Sequence, residues 1–262
     1  EFKEDITHLG HWSGTGRIQF KSPQKPETNW TVVTAYFDLT AREDASREIK
    51  ERDFRYYIEN ARTTMAVQQN LVVFCEPKYA EMIQSLRPAW LQSNTKIVAM
   101  DFSQFPLYSY YDQLKHNRLK NPPHDPRNTI SYYLFCMARY AMLKQVIAEN
   151  PFGSTHFAWL NFCIERMGWK NIKYLNHVFK ENRNGVSTCY IDYQPKEHTN
   201  LTVRYGWCTL CSGFFTGDLE AMNIFCNRME EKFKYFAERG LGHADEQLIN
   251  AVYHDDPSLF NV

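Results

Sequence analysis

Long hydrophobic runs, net charge and glycine are what this 262-residue chain has little of. No apolar stretch approaches the ~18 residues that a membrane-crossing helix needs, and the first residues carry no signal-peptide core. Lys and Arg total 30 and Asp and Glu total 30. A chain without basic excess lacks the charge that displaces counterions from nucleic-acid phosphates, so a general nucleic-acid binder is excluded. Glycine numbers only 11. Neither G-x-G-x-x-G nor G-x-x-x-x-G-K-[ST] occurs, which removes the dinucleotide fingerprint and the P-loop.

What is present describes a folded domain: 44% hydrophobic, 23% charged and 15% aromatic residues. At this length folding buries roughly 70–75% of the extended-chain surface, enough for a core without a metal or disulfide staple. The aromatic excess suggests a large core and a stacking cleft for a ring-shaped ligand. Seven cysteines are many for a cytosolic protein yet too sparse for a disulfide scaffold. Together with the sequons at Asn29 and Asn200 they lean towards a secretory-pathway (Golgi or ER) lumen. Because the chain opens on Glu1 rather than methionine, a trimmed ectodomain with an upstream anchor is an expectation. Cytoplasmic synthesis of envelope or viral glycans is the alternative. Cys208-x-x-Cys211 lacks a second ligand pair at zinc spacing, so core or disulfide cysteines are expected there.

Along the chain, residues 1–28 show no sustained periodicity and read as an arm or stem, followed by one domain over 29–262. Strands are expected at 31–37, 71–75, 96–100 and 156–160, each a short β-branched or aromatic run. Helices are expected at 43–67, 78–87, 129–149, 218–238 and from Asp245 to Tyr253. Asn150-Pro151 should stop the third of these, because the residue before proline is pushed out of helical geometry. Residues 186–193 and 201–205 alternate like antiparallel strands. The strand–helix alternation marks an α/β, Rossmann-like fold with a mixed, mainly parallel central sheet flanked by helices. Ligands in such a sheet bind outside the carboxyl ends of the strands, here Thr34 to Asp38, Cys75 and Met100-Asp101.

Thr34-Ala-Tyr-Phe-Asp38, Asn150-Pro-Phe152, Trp159-Leu-Asn-Phe162, Gly213-Phe-Phe215, Asp245-Glu-Gln-Leu248 and Pro257-Ser-Leu-Phe260 follow one another in an order that resembles the HtrL/YibB family, also represented by WlaTC-type lipooligosaccharide proteins. The resemblance covers about residues 30–260. It implies a single GT-A-like domain and a glycosyltransferase moving a hexosyl or pentosyl unit from a nucleotide-sugar, a UDP-sugar, to a glycan or glycoprotein acceptor. Oligomeric state is left open.

The resemblance also implies a site. In nucleotide-sugar enzymes the strand before the cleft often ends in D-x-D, whose carboxylates hold a divalent cation against the diphosphate. Here those positions are Asn161 and Cys163. An asparagine carbonyl can contact Mg²⁺ or Mn²⁺ but brings no charge, so metal use should be weakened or lost. His254 is the late candidate ligand. Asp245 is expected as the primary acidic catalytic residue with Glu246 close behind, although acidic residues at a helix start also serve the helix dipole. Thr34, Ala35, Tyr36 and Phe37 are placed at the nucleotide base, with Tyr36 or Phe37 stacking on uracil and Arg87 as a further contact. Lys144 is the candidate cation for the diphosphate, with Arg139 behind it. Gly213 is expected to let backbone approach a sugar, and Trp207, Phe214 and Phe215 are stacking candidates. Two rival readings remain: a catalytically inactive GT-A-fold protein that binds glycan or a partner, which Asn161 favours, and a cysteine hydrolase centred on Cys163, which requires a nearby histidine.

Overall fold

The computed structural model describes residues 28–261. All of the expected arm except Thr28 lies outside them. Four strands, β1 (Trp30–Tyr36), β2 (Asn70–Cys75), β3 (Thr95–Ala99) and β4 (His156–Leu160), run parallel in the order β3-β2-β1-β4. Every residue of β1, β2 and β4 is buried, as expected when helices cover both faces of a parallel sheet. The sheet is extended by β5 (Val186–Ser187), β6 (Phe214–Asp218) and β7 (Phe260–Asn261). Beyond β4 the order is β6-β5-β7, with β6 antiparallel to both neighbours and β5 parallel to β7. The mixed, mainly parallel α/β architecture is therefore the observed one.

Short helices α1 (Arg47–Lys50), α2 (Phe54–Glu59), α3 (Arg62–Met65) and α4 (Ala80–Leu86) join the first strands, and α5 (Tyr111–Lys120) leads to α6 (Ile130–Glu149). The rest are α7 (Ile172–Val178), α8 (Thr199–Tyr205), α9 (Leu219–Glu238) and α10 (Glu246–Asp255). Thr129 caps α6 by accepting the Tyr132 N–H, and Asn150 ends it in the left-handed region at φ 35°, a conformation asparagine tolerates better than most residues. The larger core cluster lies under α6 and α9 and includes Tyr133, Trp159, Phe225 and Phe233. The second lies on the opposite face around Trp30, Tyr36, Ile83 and Phe162.

The strand expected over 186–193 shrinks to Val186–Ser187, and two further expectations are corrected. The helix over 43–67 is three helices, because Ser46 and Asp53 turn their side chains onto backbone N–H groups as separate N-caps. Residues 201–205 are helical rather than extended: Thr202 and Val203 are buried on one side of α8, which Gly206 closes at φ 69°. Among the described residues no helix is long and apolar enough to cross a membrane. All seven cysteines are free, five buried and Cys189 and Cys208 exposed, so no disulfide forms from Cys208-x-x-Cys211.

Candidate active site

Parallel strands leave their carboxyl ends, and the loops beyond them, on one edge of the sheet. On that edge a cleft forms between the ends of β1 and β4. Ala35, Tyr36 and Phe37 make its floor on one side, Asn161 and Cys163 on the other, and Tyr132 and Arg139 of α6 form its wall. Arg52 and Arg166 also line it. Arg52 occupies the break between α1 and α2, and Arg166 lies in the single 3-10 turn Ile164–Met167 that follows β4 and ends at Gly168 with φ 89°.

Arg139 ties this cleft to the start of α10. Its Nη1 lies 3.1 Å from Asp245 Oδ2 and donates to the Ser212 carbonyl at 2.6 Å, while its guanidinium sits 5.2 Å from the Trp159 ring centre. The side chains of Arg139 and Asp245 are 3% and 0% exposed. Burial works against the Arg139 charge, and the Asp245 carboxylate outweighs it, holding the guanidinium protonated. Tyr140 donates its O–H to Asp245 Oδ2 at 2.8 Å. The loop into Asp245 depends on Gly242: at φ 105°, an added Cβ would come 2.5 Å from the Tyr133 hydroxyl.

Glu246, next in sequence, is half-buried, and Ser212 Oγ donates to its Oε1 at 3.1 Å. Burial, then the neighbouring Asp245 charge, push its carboxyl up to about 7. The two acids, of which Asp245 is the expected primary one, differ in their surroundings. Asp245 is enclosed and committed to Arg139 and Tyr140, whereas Glu246 is the carboxyl with solvent access and a proton to exchange near neutrality.

The remaining expected positions divide. Tyr36 is 2% exposed and ringed by Phe54, Tyr57, Tyr79 and Phe162, and Phe37 packs edge-on against Phe105. Neither is free to stack on a base, and Thr34 is buried within the strand. Arg87 is a correction. It is 2% exposed and donates to the carbonyls of Met65, Val67 and Gln69 and to Thr95 Oγ1. Those partners precede β2 and open β3, at the opposite edge of the sheet, so Arg87 supports the fold. Lys144 is also displaced from its expected role, pairing with Glu230 of α9 at 3.3 Å.

Gly213 opens β6 beside the end of β4, where its carbonyl accepts the Asn161 N–H at 2.8 Å. A Cβ there would lie 2.5 Å from Met167 Sδ and 2.9 Å from Asn161 Nδ2, so this glycine admits those side chains rather than an open ligand space. Phe215 is core, while Trp207 is 39% exposed and stacks on Tyr205 with ring centres 5.9 Å apart. Gln247 of α10 donates to the Trp207 carbonyl at 3.1 Å, tying this segment to the first turn of α10.

A divalent cation does not fit the residues present. Asn161 Oδ1 already accepts the Trp159 indole N–H at 3.0 Å, and its Nδ2 faces Met167. Burial pushes the Cys163 thiol up, against the pull of Arg166, so it is not a ready thiolate. His254 Nε2 bonds the Gln194 carbonyl at 2.7 Å and does not line the cleft. Among the described residues no cluster of three His, Cys, Asp or Glu is arranged to hold a metal. The cysteine-hydrolase expectation fails on the same geometry: His156 sits at the start of β4, packed on Trp30, away from Cys163 at its far end.

The fold and site together define a single-sheet α/β domain with an arginine-rich cleft at its switch edge and an acidic helix start behind it. The chain belongs to the family described as "Bacterial protein of unknown function (HtrL_YibB)", which matches residues 28–262. No curated relative matches the sequence. Similar solved structures include mouse xyloside xylosyltransferase 1 in its apo form, at 13% identity and TM-score 0.46, covering 89% of this chain and 84% of that one. Another is PaToxG glycosyltransferase, at 10% identity and TM-score 0.35, covering 90% of this chain and 72% of the other.

Arg52, Arg166, Tyr57 and Tyr132 are cleft residues that sequence reasoning missed. Arg166 had a signal, since it is the first cation after the end of β4, five residues beyond Asn161. Arg52 had none while residues 43–67 read as one helix.

Proposed function

We propose that this chain is a glycosyltransferase that moves a sugar from a nucleotide-sugar donor, a UDP-sugar, to a hydroxyl of a glycan or glycoprotein acceptor. The observation that carries this reading is the linkage of the arginine-lined cleft, through Arg139 and Ser212, to the half-buried Glu246. Guanidinium groups suit phosphate oxygens in number and geometry. A carboxyl titrating near neutrality suits proton uptake from an alcohol.

In the proposed reaction the acceptor oxygen forms a bond to the anomeric carbon of the donor sugar. The bond from that carbon to the β-phosphate oxygen breaks, and its electron pair leaves with the nucleoside diphosphate. Glu246 takes up the proton lost by the acceptor hydroxyl. Arg139, neutralised by Asp245 and fixed by Ser212 and Trp159, forms a rigid cleft wall that ties the donor side to Glu246 through Ser212. The exposed Tyr205–Trp207 pair, whose segment Gln247 ties to the first turn of α10, offers an aromatic face on which an acceptor sugar ring can rest.

Nucleotide release from a panel of UDP-sugars, with and without a glycan acceptor, tests the reading. Glu246→Gln should slow that release by orders of magnitude. Binding of donor without release from any sugar would instead favour the inactive glycan-binding protein, the reading that Asn161 at the strand end supports.

A further inference from the structure

We infer that the donor's diphosphate is held by Arg52 and Arg166 in place of a divalent cation, so that the site works without metal. This rests on the nucleotide-sugar reading above and specifies how that site meets phosphate.

The charges around the cleft support the assignment. The carboxylates nearby are already engaged. Asp245 pairs with Arg139, Asp125 accepts from Arg127 Nε at 2.8 and 2.9 Å, and Glu165 accepts from Thr63 N and Oγ1, both at 2.8 Å. Arg52 and Arg166 form no ion pair with a carboxylate among the described residues. Both line the cleft, Arg52 half-buried and Arg166 exposed. A diphosphate diester carries one negative charge on each phosphate, and two guanidinium groups balance it as a divalent cation would.

Geometry agrees with charge. Each guanidinium presents parallel N–H donors that match two phosphate oxygens, which an ammonium does not. Tyr57 and Tyr132, on the same walls, add hydroxyls that can donate to remaining oxygens. Burial pushes the Tyr57 hydroxyl up to about 12, so it stays protonated and able to donate. Meanwhile the positions where a metal would need carboxylates hold Asn161, whose carbonyl oxygen is engaged by Trp159, and the buried thiol Cys163.

Calorimetric titration of the full chain with UDP, in EDTA and separately with Mn²⁺, tests the inference. The expected result is binding in EDTA with a Kd within twofold of that in Mn²⁺. Arg52→Ala and Arg166→Ala should each weaken it on the order of tenfold or more, as loss of a charged hydrogen bond does. Arg52→Lys and Arg166→Lys, which keep the charge but lose the fork, should fall between, with thermal unfolding confirming that each variant is folded. Binding that appears only with Mn²⁺, or folded alanine variants that bind UDP as the parent does, overturns the inference while leaving the transferase reading in place. No UDP binding under either condition, with no nucleotide release from any donor, overturns both.

Discussion

Replacing Asp245 with asparagine tests the buried network from two directions. The substitution keeps the side-chain shape and leaves an acceptor for the Tyr140 hydroxyl, 2.8 Å away. It removes the carboxylate that neutralises Arg139, whose side chain is only 3% exposed. Removing one partner of a buried pair costs about 3–5 kcal/mol, because the other charge is left without compensation. The Ser212 carbonyl still accepts from Arg139, which places Asp245→Asn at the lower end, about 3 kcal/mol. For a domain this large that lowers Tm by roughly 6–10 °C. The second effect concerns Glu246, which is raised by burial and by the Asp245 charge. In the parent, the folded state binds a proton at Glu246 over a range where the unfolded chain has lost it. Its contribution to stability is therefore complete below the ordinary glutamate pKa and declines as pH rises towards about 7. Activity that needs the ionised carboxylate rises over the same window. Without Asp245, and with Arg139 unpaired, Glu246 ionises more readily, so the acid limb of nucleotide release moves to lower pH. Thermal melts and a pH–rate profile measure both effects. A Tm within 2 °C of the parent (threshold set well below the expected change), or an acid limb that stays put or moves upward, refutes the coupling of Asp245, Arg139 and Glu246.

Glu246→Gln should lower turnover by about 10²–10⁴ while leaving the UDP Kd within twofold, read by stopped assays and calorimetry. An equal loss in binding and turnover would make Glu246 a donor-binding group. Asn161→Asp places a carboxylate in the arginine-lined cleft and should weaken UDP binding in EDTA several-fold; tighter binding in EDTA would contradict the charge argument. Arg87→Ala should destabilise by about 3 kcal/mol, near 1 kcal/mol for each of three carbonyls left without its donor, with UDP affinity unchanged. Urea unfolding beside calorimetry separates the two, and a loss of affinity in folded protein would return Arg87 to the site. Trp207→Ala should raise the acceptor KM with little change in donor Kd, measured by varying acceptor at saturating donor.

The strands were readable because a buried parallel strand has one dominant signature, a short apolar β-branched run. Residues 156–160 match β4 at both ends, and β1 to β3 are displaced by a single residue. That was enough to place the switch edge of the sheet and, with it, Asn161 and the region of Asp245. Side-chain commitment was the harder property. Tyr36 and Phe37 were correctly placed at the carboxyl end of β1, yet in a sheet covered on both faces a strand residue points into one core or the other. Both rings are consumed by aromatic neighbours. Lys144 stands out as the lone cation on an apolar helix face and Arg87 as a cation before Pro88, but local sequence does not contain the backbone carbonyls of 65–69 or Glu230, which only the fold delivers.

Arg52 shows why the cleft's own cations were hidden. An amphipathic stripe through Phe54, Tyr57, Ile58 and Ala61 suggests continuous helix, and a helical Arg52 would be one more charge on a solvated face. Asp53 instead accepts the Tyr56 N–H at 2.9 Å, which starts a new helix and leaves Arg52 in the break. An aspartate before an aromatic run is as compatible with a helix interior as with an N-cap, and only the packing of α2 against Tyr36 decides between them. The same packing that removes Tyr36 from base recognition thus delivers Arg52 to the cleft. Asp53→Ala should cost about 1 kcal/mol as a lost cap. It should also weaken UDP binding if the break, rather than the arginine alone, sets the site. A folded Asp53→Ala protein that binds UDP at full affinity would show that Arg52 reaches phosphate without the cap.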